Sequence, residues 1–116
     1  MNLHPGPFDR MKGGDKTDEL RLNDEKRQRV KVGDHIIFSK RPDFTEGVKV
    51  KVTSLKCYKS FEELYEGVKG RYSQCTKEEF INGMREYYSR EDEEKFGALE
   101  IGIKLLRGHP LDVITQ

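Results

Sequence analysis

Tryptophan is absent, cysteine occurs twice, proline four times, and large apolar residues are sparse: hydrophobic residues fill 34% of the 116 positions, charged ones 37%. Each shortage excludes something. Cys57 and Cys75 form no Cys-x-x-Cys pair, and two cysteines make no disulfide framework. Ile36–Phe38 is the longest run of large apolar residues, far short of the roughly 20 needed to cross a bilayer as a helix. The opening MNLHPGPFDR holds no apolar stretch that could serve as a signal peptide. A soluble, cytoplasmic protein without a membrane partner is the expectation. A hyperthermophilic source is the exception under which Cys57 and Cys75 could still pair. The abundance of Lys, Arg and Glu suits such a heat-adapted protein, whose surface carries ion-pair networks.

Three histidines, His4, His35 and His109, stand far apart and pair with no cysteine at zinc-ligand spacing, so neither a metal nor a cofactor is expected. The segment GGDKT ends like a phosphate-binding loop. That loop needs glycine directly before the Lys and again five residues earlier, where this chain has Asp15 and Arg10.

What is present is charge, unevenly placed. Residues 1–60 carry fourteen Lys plus Arg against nine acids, and residues 61–116 carry eight against twelve. A basic half is compatible with a nucleic-acid face, and equally with pairing between the halves. The densest stretch, Gly13–Asp34, holds six basic and six acidic residues, with Leu20, Leu22, Val30 and Val32 as its only large apolar ones.

Apolar periodicity supplies the elements. Val48, Val50 and Val52 alternate with Lys49, Lys51 and Thr53, and Leu99, Ile101, Ile103 and Leu105 with Glu100, Gly102 and Lys104. Both patterns predict half-buried strands, near 47–56 and 97–106. GDHIIFSK predicts a more buried strand near 34–40, and DELRL a short one near 19–22. Ser60 with Glu63 and Thr76 with Glu79 read as capping boxes opening two helices. A short helix is expected over Pro7–Lys12, ended by Gly13 or Gly14, and one more turn over SREDEEKFG. One domain over residues 1–106 follows, with 107–116 as a loosely held tail. The class is α+β: a compact mixed barrel, or an open sheet covered on one face by two helices.

If Thr17–Leu22 is a strand, Thr17, Glu19 and Arg21 point one way and the two leucines the other, with Lys16 at the turn before them. Two readings stand: a surface salt bridge worth at most about 1 kcal/mol, or a polar pocket that hydrogen-bonds a base edge or a phosphate.

These residues carry a resemblance. HPGPFDRMKGGDKTDELRLNDEKRQRVKVGDHIIF is similar to the ASCH family of the PUA-like superfamily, through Pro7-Phe8, Gly14, Lys16, Glu19-Leu20-Arg21-Leu22, Asp24 and Gly33-Asp34. YKSFEELYEG resembles the family's second helix and FGALEIGIKLL its closing strand, so that residues 3–106 are covered. The resemblance implies a small PUA-like β-barrel with helices packed around a cleft. It also implies RNA or a modified nucleoside as the partner in that cleft. Lys16, Glu19 and Arg21 would line it, while Lys26, Arg27, Arg29 and Lys31 would contact phosphates or, alternatively, form a solvated loop face. Of the aromatics able to stack a base, Phe8 and Tyr65 suit the core, and Tyr72 has the best claim to exposure. One bacterial branch of the family hydrolyses N4-acetylcytidine with a Lys, a Thr and a Glu. Lys16 matches the Lys, but Glu19 stands where the Thr belongs, and Ser73 or Gln74 where the Glu belongs. Glu78 or Glu79 would have to substitute. An amidohydrolase acting on an acylated nucleoside, with Lys16 and Glu19 as the catalytic pair, is therefore the alternative to a binding module. Against it, a lysine base must be desolvated without an adjacent carboxylate, and Glu19 favours the charged ammonium.

Overall fold

The structure, a computed structural model, describes residues 1–14 and 16–106. Its elements in order are β1 (Asn2–Leu3), α1 (Pro5–Lys12), β2 (Asp18–Leu22), β3 (His35–Lys40), β4 (Gly47–Tyr58), α2 (Phe61–Val68), α3 (Lys77–Arg85), α4 (Arg90–Phe96) and β5 (Ala98–Leu105), with single 3-10 turns at Arg27–Arg29 and Lys69–Arg71. The strands form one five-stranded sheet in the order β1-β3-β4-β5-β2. β3 and β4 are antiparallel, with Ile36 opposite Val50 and Phe38 opposite Val48. The chain divides into two compact units, one of Met1–Glu19, Lys31–Leu55 and the chain from Ile101 on, the other of Leu20–Val30 and Lys56–Glu100.

In the first unit, the valine alternation does what the pattern predicts. Val48, Val50 and Val52 are buried with Ile101 and Ile103, while Lys51 is exposed. Phe8 and Met11, one helical turn apart on α1, join Leu3 and Phe38 in the interior. α1 begins at Pro5, two residues earlier than the sequence suggested. Pro5 occupies the first turn, where a missing N–H costs nothing, so no side-chain cap from His4 is required. The helix closes with the Gly13 N–H donating to the Asp9 carbonyl (3.0 Å), and Gly14 takes φ +86°, which reverses the chain at no steric cost. Strand β3 corrects an expectation. It was to be the more buried strand, yet only Phe38 is buried and Ile37 is 43% exposed, because Ile37 alternates with Phe38 onto the face the interior does not cover.

The second unit gathers Leu22, Phe61, Leu64, Val68, Phe80 and Ala98 into one core, with Tyr65, Tyr72, Met84 and Tyr88 against it. α2 presents Phe61, Leu64 and Val68 on one face and packs on α3. Thr76 and Glu79 form the full capping box at α3. Ser60 caps α2 by accepting from the Glu63 N–H (3.1 Å), but the Glu63 carboxylate accepts from Lys59 N–H (3.0 Å), one residue beyond the box position. SREDEEKFG makes two turns of helix, capped by Ser89, which accepts from the Asp92 N–H at 3.1 Å. The expected tail, with His109, lies outside the described residues. Among those described, no helix is long and apolar enough to cross a membrane.

Candidate ligand-binding site

The end of α1 places Lys16. After the Gly13–Gly14 turn its backbone N–H donates to the Arg10 carbonyl at 3.1 Å, and one residue later the Thr17 carbonyl accepts from the Ile103 N–H at 2.9 Å. Held between a helix end and β5, the Lys16 side chain is only 11% exposed. It lies 3.9 Å from the Glu19 carboxylate, itself 10% exposed, at the start of β2. This is not the surface salt bridge that spacing alone allowed. Two charges are taken out of water here, which costs several kcal/mol per ion before their mutual attraction is counted. Asp18 is buried beside Glu19 in sequence, and Arg21, in the second unit, is half-buried.

The basic run separates into two kinds of residue. Asp24 accepts from the Arg27 N–H and from its Nη1, both at 3.0 Å, so Arg27 is committed to shaping its own turn. Gln28 braces the same turn by donating to the Asn23 carbonyl at 2.8 Å. Lys26, Arg29 and Lys31 are exposed, and among the described residues none of them forms an ion pair. Tyr72 does not stand free in solvent. It is half-buried, with its ring edge-on to Phe80 at 5.5 Å between centroids. Tyr65 lies 5.3 Å from the same ring, and Phe8 is fully buried.

The residues that would complete a hydrolase are poorly placed. Ser73 and Gln74 are exposed loop residues. Glu79 is spent on the α3 cap, where the Thr76 backbone N–H holds its carboxyl below the usual carboxylate range. Among the described residues, no three His, Cys, Asp or Glu side chains come together as a metal-ligand group. Cys57 and Cys75 are both free and exposed.

Sequence reasoning missed three features of the second unit. A surface depression of about 530 Å³ is lined by Asn23, Cys57, Lys59, Glu63, Lys95 and Phe96, among others. Buried Glu93 joins three helices, accepting from Phe61 N–H (2.9 Å) and from Arg85 Nε and Nη2 (3.2 and 3.1 Å). Tyr58 donates to Glu100 at 2.8 Å, and Arg71 donates to the other oxygen of that carboxylate. Burial, and then this hydrogen bond, push the Tyr58 hydroxyl up to about 12. No local motif announces contacts between residues so far apart in sequence.

Comparison with known proteins covers nearly the whole chain. The family model described as the ASCH domain matches residues 1–107. The crystal structure of hypothetical protein PH0355 is 35% identical, with a TM-score of 0.76, over 91% of this chain and 96% of that one. The solution structure of PF0455 from Pyrococcus furiosus is 30% identical, with a TM-score of 0.67, over 92% and 99%. A serine-to-alanine variant of ZmASCH from Zymomonas mobilis shares the fold at 13% identity and a TM-score of 0.51, over 97% of this chain and 72% of that one. No curated protein matches.

Proposed function

Since the chain belongs to the ASCH domain family and has its α+β, PUA-like fold, we propose that it is a non-catalytic module that binds RNA or a modified nucleoside. One observation carries the reading: Lys16 and Glu19, two of the residues that carry the resemblance, form a desolvated pair rather than an exposed one. A buried pair adds little stability that an apolar pair of the same size would not supply. Its chemistry suits a ligand. The ammonium offers donors and the carboxylate acceptors within one side chain's reach of each other, complementary to a base edge that sets a donor beside an acceptor, as the N4 amino group and N3 of cytosine do. Arg21, in the second unit, is proposed as a ligand contact of its own. Lys26, Arg29 and Lys31 are proposed to hold phosphates, which position a strand without reading it. Such contacts make affinity fall with salt in proportion to the phosphates neutralised.

The alternative, hydrolysis of an acylated nucleoside, has little to support it. Glu19 stands where the resemblance expects the nucleophilic Thr, so the pair offers no hydroxyl to attack an acyl group. The test is N4-acetylcytidine turnover, measured on the wild type and on Lys16→Ala, alongside RNA binding. The binding reading expects no turnover and salt-sensitive binding that weakens in the variant. Robust turnover abolished by Lys16→Ala would make the protein an enzyme instead.

A further inference from the structure

In the first unit, the turn between β3 and β4 holds an aromatic residue where packing and backbone both argue against one. Phe44 is 51% exposed and has φ +59°, the left-handed region, which is uncommon for non-glycine residues and a marked outlier for bulky ones. The turn is well determined around it. Phe44 N–H donates to the Lys40 carbonyl, Lys40 N–H to the Glu46 carbonyl (both 2.9 Å), and Thr45 Oγ1 to Asp43 at 3.1 Å. Glycine, asparagine or aspartate would fill this position with less strain and less apolar exposure. Strain retained at an exposed aromatic is the kind of outlier that accompanies a binding role.

The hairpin behind it carries cations on its outward face, while its turn holds Asp43 and Glu46. Phe38 and Val48 face inward as cross-strand partners; His35 opposite Lys51 and Ile37 opposite Lys49 occupy the outward face. Lys40 is neutralised by Asp9 at 3.2 Å and Glu46 at 3.7 Å. Lys49, Lys51 and Arg41, by contrast, enter no ion pair among the described residues. Lys49 and Lys51 line the outward face of the hairpin, and exposed Arg41 and Phe44 lie in its turn.

We propose that the outward face of the β3–β4 hairpin is a single-stranded RNA track: Lys49, Lys51 and Arg41 take phosphates, and Phe44 stacks on a base. The combination of backbone-tracking cations with an aromatic platform is how single strands are held without sequence preference. A duplex would hide the base faces that Phe44 needs. The inference rests on the RNA-binding reading above but concerns different residues, so the two can fail separately.

The test is fluorescence anisotropy with a labelled single-stranded RNA 12-mer across a salt series. Phe44→Ala should weaken binding by roughly 5- to 150-fold, the loss typical of one stacked base. Phe44→Gly should weaken it as much while leaving the melting temperature unchanged or raised, because glycine tolerates the positive φ. A merely structural aromatic would lose stability instead. Lys49→Ala with Lys51→Ala should flatten the slope of log affinity against log salt by about 1.4, from about 0.7 per single-strand phosphate contact. Phe44→Trp should keep binding, and its tryptophan, the chain's first, should be quenched by RNA. Wild-type RNA binding that none of these variants alters would overturn the inference and leave the Lys16–Glu19 reading standing. Absence of any wild-type RNA binding would overturn both. A wild-type dimer dispersed by Ile37→Asp would assign the face to a second copy of the chain and also overturn the track.

Discussion

Removing the Glu93 carboxylate should be among the most damaging single changes in the second unit. The residue is 5% exposed, and each of its oxygens has a task. Oε1 accepts from Arg85 Nε and Nη2 at 3.2 and 3.1 Å, and Oε2 accepts from the Phe61 N–H at 2.9 Å, in the first turn of α2. Glu93→Ala leaves a half-buried guanidinium without its counter-charge and a buried N–H without its acceptor. Breaking a buried pair costs about 3–5 kcal/mol, and an orphaned buried donor about 1–3. The Arg85 side chain is 30% exposed and can rehydrate in part, so the lower end, about 3 kcal/mol in all, is the expected loss. Glu93→Gln keeps a neutral acceptor for Phe61 and should lose about half as much. In urea, with a slope of about 1–3 kcal/mol per molar, Glu93→Ala should lower the unfolding midpoint by about 1.5 M. A double-mutant cycle with Arg85→Ala should recover a coupling of about 1–3 kcal/mol. An alanine variant that unfolds within about 0.5 kcal/mol of wild type would refute the view that this carboxylate ties the three helices together.

Two helical glycines should respond oppositely to alanine. A Cβ on Gly67 would run into the Tyr58 ring and hydroxyl, whereas one on Gly83 meets nothing within 4 Å. Gly83→Ala should therefore raise stability by up to about 1 kcal/mol, and Gly67→Ala should lower it, as thermal melts would show. Tyr58 should make stability depend on alkaline pH. Its folded pKa, about 12, is above the unfolded value of 10.0, so its contribution is complete below pH 10 and is lost as pH rises toward 12. Spectrophotometric titration should find one of the five tyrosines ionising near 12, and Tyr58→Phe should abolish both effects. In the basic run, Lys26→Ala with Arg29→Ala should weaken RNA binding and flatten its salt slope. Arg27→Ala should act chiefly on stability, through the turn that Asp24 holds, and a salt slope changed only by Arg27→Ala would contradict this division.

What was legible in the sequence follows from the range of the interactions. Val48–Val52 and Leu99–Ile103 reveal their strands because alternation is a local property of a sheet with one dry face. Thr76 with Glu79 reveals a helix start because both partners lie within four residues. β1 was missed because two residues carry no period, and its pairing with β3 bridges more than thirty positions. Ile36 and Ile37 suggested a buried strand, but successive residues point to opposite faces, and only one face of β3 is buried. The candidate site was legible in part. Lys16, Glu19 and Arg21 stand out by spacing and by resemblance, but the desolvation of the first two arises in the folded chain, where backbone bonds to Arg10 and Ile103 fix Lys16 and Thr17. Arg27 read as one of four equal cations until Asp24 was seen to hold it. Phe44 carried no signal, since a positive φ is invisible in a sequence that lacks glycine at that position.

The central claim is that Lys16 and Glu19 contact the ligand. The most direct measurement is an NMR titration of isotope-labelled protein with a short cytidine-containing RNA, following backbone amides and the Lys16 side chain. The account predicts saturable shifts at Lys16, Thr17, Glu19 and Arg21 that Lys16→Ala abolishes while the fold is kept. Saturable binding that leaves these resonances unmoved would contradict it.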